Sequence, residues 1–103
     1  MEKIGNVKNL KRGESINFQF KGKEGILVRT KKDKLVAYGR VCPHEGGTIV
    51  WDADINKLLC ECHLSIFNVD DGTVYKYSSL FEKMGDLTPI KLKIDDKQDI
   101  YTV

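Results

Sequence analysis

Ile16-Asn17-Phe18-Gln19-Phe20 places an apolar side chain at every second position, and Lys21-Gly22-Lys23 follows at once. A period of two marks a strand with one buried face, and a glycine between two lysines marks a turn. The same grammar continues outward. Gly25-Ile26-Leu27-Val28 and Leu35-Val36-Ala37-Tyr38 are short apolar runs. Ile90, Leu92 and Ile94 alternate with Lys91 and Lys93, and Ile100-Tyr101-Thr102-Val103 reads as a final strand. Turn residues fall between the runs at Arg12-Gly13, Lys32-Asp33, Asp71-Gly72 and Asp95-Asp96. Strands at this spacing, joined by short turns, predict an all-β sandwich or open barrel. One helical turn is expected over residues 78–84, closed by Gly85. Tyr75 and Tyr77 read as strand residues and Trp51 as packing.

The chain has 103 residues, of which 41% are apolar. That suffices for one domain with its own core, expected to span 1–103. No window approaches 18 uninterrupted apolar residues, so no membrane span is expected. Met1-Glu2-Lys3-Ile4-Gly5 lacks the apolar stretch of a secretory signal. Three cysteines is an odd number. It fits free thiols or a metal site in a reducing, cytoplasmic compartment better than a disulfide framework. The net charge of +2 hides an asymmetry. Residues 1–40 hold 11 Lys/Arg against 4 Asp/Glu, a net +7, and residues 41–103 hold 6 against 11, a net −5. The lysines sit in turn-like clusters with no interleaved aromatic stripe, which argues against nucleic-acid binding.

The middle of the chain differs from its frame. Residues 42–72 contain all three cysteines, both histidines, the only tryptophan and six carboxylates (Glu45, Asp52, Asp54, Glu61, Asp70, Asp71), with Lys57 the only base. A β scaffold around a polar insert of about residues 40–72 places function in the insert. Two motifs stand out, Cys42-Pro43-His44-Glu45-Gly46-Gly47 and Cys60-Glu61-Cys62-His63-Leu64-Ser65, with fifteen residues between His44 and Cys60. Thiolate and imidazole suit zinc, copper or iron–sulfur centres. Each motif carries one Cys and one His, a mixed pairing that suits two metals bridged by two loops. A mononuclear Cys2His2 zinc site would use the same four residues.

Cys-x-His, fifteen residues, then Cys-x-x-His resembles the Rieske signature, in which two histidines replace two cysteines on one iron of a [2Fe–2S] cluster. The resemblance extends to Leu35-Val36-Ala37-Tyr38 before the first motif, to Phe67-Asn68-Val69-Asp70-Asp71-Gly72 after the second, and to the closing strands from Pro89-Ile90. It implies stacked antiparallel sheets with a small cluster-binding subdomain. It implies one Rieske-type 2Fe–2S cluster, with Cys42 and Cys60 on one iron and His44 and His63 on the other. Gly46 and Gly47 would let the first loop approach the cluster. Ser65 matches a serine that donates to a bridging sulfide in the high-potential subclass, and Phe67 stands where that subclass has a donating tyrosine. Cys62 occupies one position of the disulfide found in respiratory relatives, but Gly47 occupies the other, so a small buried thiol is expected. Leu64 stands where the family usually has Gly, and Glu61 replaces a common Pro.

The function implied is that of a soluble ferredoxin. It would be an electron-transfer component rather than a catalyst, passing single electrons from a reductase to an oxygenase or other acceptor. The acidic insert suggests a basic docking face on the partner. The alternative is a small Rieske-like subunit, or a zinc-bound structural module, of a larger reductase with no electron-transfer role.

Overall fold

A computed structural model describes residues 2–40, 48–61, 65–76 and 86–103. Its strands are β1 (Glu2–Asn6), β2 (Ser15–Phe20), β3 (Lys23–Arg29), β4 (Leu35–Gly39), β5 (Ile49–Asp52), β6 (Lys57–Cys60), β7 (Ile66–Asn68), β8 (Val74–Lys76), β9 (Leu92–Ile94) and β10 (Asp99–Thr102). They form three antiparallel sheets in the orders β1-β10-β9, β2-β3-β4 and β5-β6-β7-β8.

The sheet β2-β3-β4 lies in the middle, and its two faces serve two cores. Leu27 and Ala37, cross-strand neighbours, pack with Leu10, Phe18 and Ile100 toward β1-β10-β9. Ile26, Val28, Val36 and Tyr38 point the other way and pack with Ile49, Leu58, Cys60, Phe67, Val69 and Leu87. Where β3 and β4 are covered on both faces, at residues 25–28 and 36–38, there is no polar side to show, so these stretches read as short apolar runs. β2 keeps one face in solvent, with Asn17 and Gln19 exposed and Phe18 buried, so it alternates. Gly25 is required by this packing. The Phe18 ring lies across it, and a Cβ there would stand 2.5 Å from Phe18 Cζ.

The structure departs from the sequence reading in four places. Glu2–Asn6, read as no element, pairs with β10. The closing strand β9 begins at Leu92 rather than Ile90, because Pro89 makes a bridge with Tyr38 and the Ile90 amide donates to the Ala37 carbonyl at 2.8 Å. Ile94 ends that strand 44% exposed, so its place in the alternation buries little. The polar insert is itself a meander, β5 to β8, whose strands of three or four residues are too short to establish a period. Tyr75 lies in β8 as expected; Tyr77 and the helical turn expected over 78–84 lie outside the described residues. Trp51 packs against the core and also acts as a strut, its Nε1 donating to the Gly13 carbonyl at 2.8 Å. No helix among the described residues is long and apolar enough to cross a membrane.

Candidate metal centre

β6 ends at Cys60, and the sequence on either side explains its position. Leu58 and Cys60 alternate inward, both at 0% exposure, while the chain turns outward at the exposed Glu61. The Cys60 thiol is free and buried beside Ile49 and Phe67 in one core. Ile49 is its cross-strand partner in β5.

Three main-chain hydrogen bonds gather the ends of the two motif-bearing segments around this cysteine. The Ile49 amide donates to the Arg40 carbonyl at 2.7 Å, closing the root of residues 41–48. The Cys60 amide donates to the Ser65 carbonyl at 2.9 Å, closing the root of residues 61–64. The Glu61 amide donates to the Thr48 carbonyl at 3.0 Å, tying one root to the other. The segment holding Cys42 and His44 and the segment holding His63 therefore spring from one spot, side by side with Cys60. Of the residues proposed from sequence, the structure brings Cys60, Ser65 and Phe67 together; Cys42, His44, Gly46, Gly47, Cys62 and His63 lie outside the described residues.

Ser65 is fully buried next to the Cys60 root, and Phe67 is fully buried in the core below it. Phe67 has no hydroxyl to donate, and its ring serves packing. Two further residues anchor the exit from β7. The Tyr38 hydroxyl donates to the Val69 carbonyl at 2.7 Å. The Tyr38 ring lies over Gly72, whose φ of +79° and distance of 2.7 Å from a built Cβ to Tyr38 Cε1 admit no side chain. Burial, with Asp71 and Asp70 nearby, pushes the Tyr38 phenol up to about 12.

Of the carboxylates in the insert, Glu61 stands at the Cys60 root, while Asp52, Asp54, Asp70 and Asp71 lie at the opposite end of the β5–β8 sheet, where Asp52 pairs with Lys57 and Lys57 with Asn68. Glu61, Asp54 and Asp71 are exposed, and Asp52 and Asp70 are half-buried. Water and salt therefore screen most of the negative charge that the sequence concentrates here. The Thr73 hydroxyl and amide hold the Asp71 carboxyl below its usual value. The one cation at the roots is Arg40 among the described residues, with its side chain 16% exposed and NH1 3.3 Å from Glu24 Oε2. The sequence reading gave Arg40 no role. A charged residue two places before Cys42 was the available signal, but its burial could not be read from the chain.

A buried soft donor with two donor-bearing segments rooted beside it fits a thiolate–imidazole metal centre. The comparisons agree. The family model for the Rieske [2Fe-2S] domain matches residues 1–82. A cytochrome b6-f complex iron-sulfur subunit 2 of Synechocystis sp. is 36% identical over 56 residues, 52% of this chain and 31% of that protein, so the match spans about a third of the relative. Among solved structures, the plasma membrane Rieske protein of Synechocystis PCC 6803 matches with a TM-score of 0.83 at 19% identity, over 100% of this chain and 99% of that one. The ferredoxin of carbazole 1,9a-dioxygenase from Nocardioides aromaticivorans IC177 matches with a TM-score of 0.75 at 19% identity, over 98% and 94%. At such identities these two likenesses speak for the fold.

Proposed function

The chain belongs to the Rieske [2Fe-2S] domain family, and from that premise we propose that it is a one-electron carrier built as a ferredoxin, working in the cytoplasm between a reductase and an oxygenase or other acceptor. When bound, its single Rieske-type cluster supplies reversible one-electron exchange. In this reading Cys42 and Cys60 hold one iron, His44 and His63 hold the other, and residues 40–72 form the cluster-binding unit of a single domain. The observation that carries the reading is the convergence of both segment roots on the buried Cys60. The main chain holds that cysteine at a fixed place, and the surrounding core keeps water from the sulfur. In the same reading, Gly46 and Gly47 would let the first segment approach the cluster. Ser65 offers a hydroxyl close to the Cys60 root, while Phe67 withholds one.

Counting metal tests the assignment. Protein purified without oxygen should contain two irons and two acid-labile sulfides per chain, show a red-brown colour, and on reduction give an EPR signal with average g below the free-electron value. Cys60→Ser should lose the cluster. Stoichiometric zinc, or no iron at all, would refute it.

The docking partner follows from charge. The exposed Glu61 stands at the Cys60 root and the exposed Asp54 and Asp71 lie farther along the same unit; together they suit a partner with a basic face.

A further inference from the structure

Arg40 is the last described residue before the segment that carries Cys42 and His44. Its carbonyl accepts from the Ile49 amide at 2.7 Å, and its Nε donates to the Ile49 carbonyl at 3.0 Å. One residue thus satisfies both main-chain groups of Ile49, using its backbone for one and its side chain for the other. The other end of Arg40 is held by Glu24, whose carbonyl accepts from the Arg40 amide at 2.9 Å and whose Oε2 lies 3.3 Å from NH1. The guanidinium side chain is 16% exposed, whereas the Glu24 side chain is 54% exposed. The cation is therefore the sheltered member of the pair and the carboxylate the screened one.

Ile49 stands between this guanidinium and Cys60. The two residues face each other in register without exchanging main-chain bonds, because the Ile49 amide goes to Arg40 and the Cys60 amide to Ser65. Such a pair has Cα atoms about 4.5 Å apart, which puts the guanidinium on the order of 10 Å from the Cys60 backbone.

We propose that Arg40 is a positioning residue that clasps the root of the first cluster segment and biases the cluster toward its reduced state, with Glu24 setting how much of that bias is felt. The proposal rests on the ligand reading above. Reduction adds one negative charge on the order of 10 Å from a sheltered cation, and attraction between them favours the added electron. Glu24 offsets part of that attraction. The two residues should therefore act with opposite signs, which a purely structural clasp would not produce.

The test is a redox titration of parent, Arg40→Gln, Arg40→Lys and Glu24→Gln proteins, each first assayed for iron and labile sulfide. Arg40→Gln should make reduction harder by roughly three- to tenfold in the electron-exchange equilibrium, tenfold being about 59 mV for a one-electron couple. Glu24→Gln should make it easier. Arg40→Lys keeps the charge and should stay near the parent potential, while its loss of the Nε bond should speed the release of iron to a chelator. Shifts of the same sign for Arg40→Gln and Glu24→Gln, or no shift for Glu24→Gln, would overturn the proposal. If Arg40→Gln does not fold, the exposed Glu24 decides alone. A parent protein without iron would sink the ligand reading and this proposal together; an iron-loaded parent with same-signed shifts would sink this proposal only.

Discussion

Tyr38 shows how one side chain can serve the scaffold and the site at once. It lies in β4 of the middle sheet, its hydroxyl holds the Val69 carbonyl, and its ring covers Gly72. The phenol is pushed up to about 12, first by burial and then by Asp71 and Asp70. A folded value above the ordinary 10 means that the contribution to stability is complete below pH 10 and disappears as pH rises toward 12. Urea titrations should therefore show stability falling between pH 10 and 12, and Tyr38→Phe should flatten that fall. The Phe variant should also lose about 1 kcal/mol at neutral pH, because the buried Val69 carbonyl loses its donor. The residue scale is also where the sequence was most and least informative. The family was legible, since the spacing Cys-x-His, fifteen residues, Cys-x-x-His matches the Rieske pattern and the family model agrees. The clasp made by Arg40 was not, since the partner of its Nε is a main-chain oxygen nine residues away.

At the scale of elements, β3 and β4 could be read because burial on both faces leaves apolar runs at residues 25–28 and 36–38. The meander of β5 to β8 could not, since its strands are short and its residues are chosen partly for the site. What joins that meander to the rest beyond the shared core includes the bond from Trp51 in β5 to the Gly13 carbonyl in the turn before β2. Trp51→Phe should preserve the packing and lose that bond, lowering stability by about 1 kcal/mol in chemical denaturation. The midpoint should move while the denaturant slope stays constant. The seam between β1 and β10 is fastened differently. Asn6 Nδ2 donates to Asp99 at 2.8 Å, and this bond, helped by Lys3, holds the Asp99 carboxyl below its usual value. The contribution of that seam is therefore present above the ordinary aspartate range and lost on acidification.

For the whole molecule, the charge asymmetry along the chain and the donors near the cluster bear on the same quantity. On the ligand reading proposed above, a missing hydroxyl at Phe67, an absent disulfide partner for Cys62 and the carboxylates of the unit would act against the reduced state, and Ser65 and Arg40 would act for it. We expect a midpoint potential of about −150 to +50 mV, the lower half of the Rieske range. Protein-film voltammetry would check it, and a value above that window would show that the donors around the sulfurs outweigh the charges. Transfer to a basic partner should slow as salt is added, and a stopped-flow rate unchanged between low and high ionic strength would exclude a docking face of that kind.

The three amide protons that fasten the segment roots, on Ile49, Glu61 and Cys60, cross three successive seams, to Arg40, Thr48 and Ser65 in turn. None can be released to deuterated water without disturbing its neighbours, so they should exchange as a group, slowly in assembled protein and together once it is stripped. Their isotope uptake would then serve as an internal clock for the birth and loss of the centre, readable without watching iron at all.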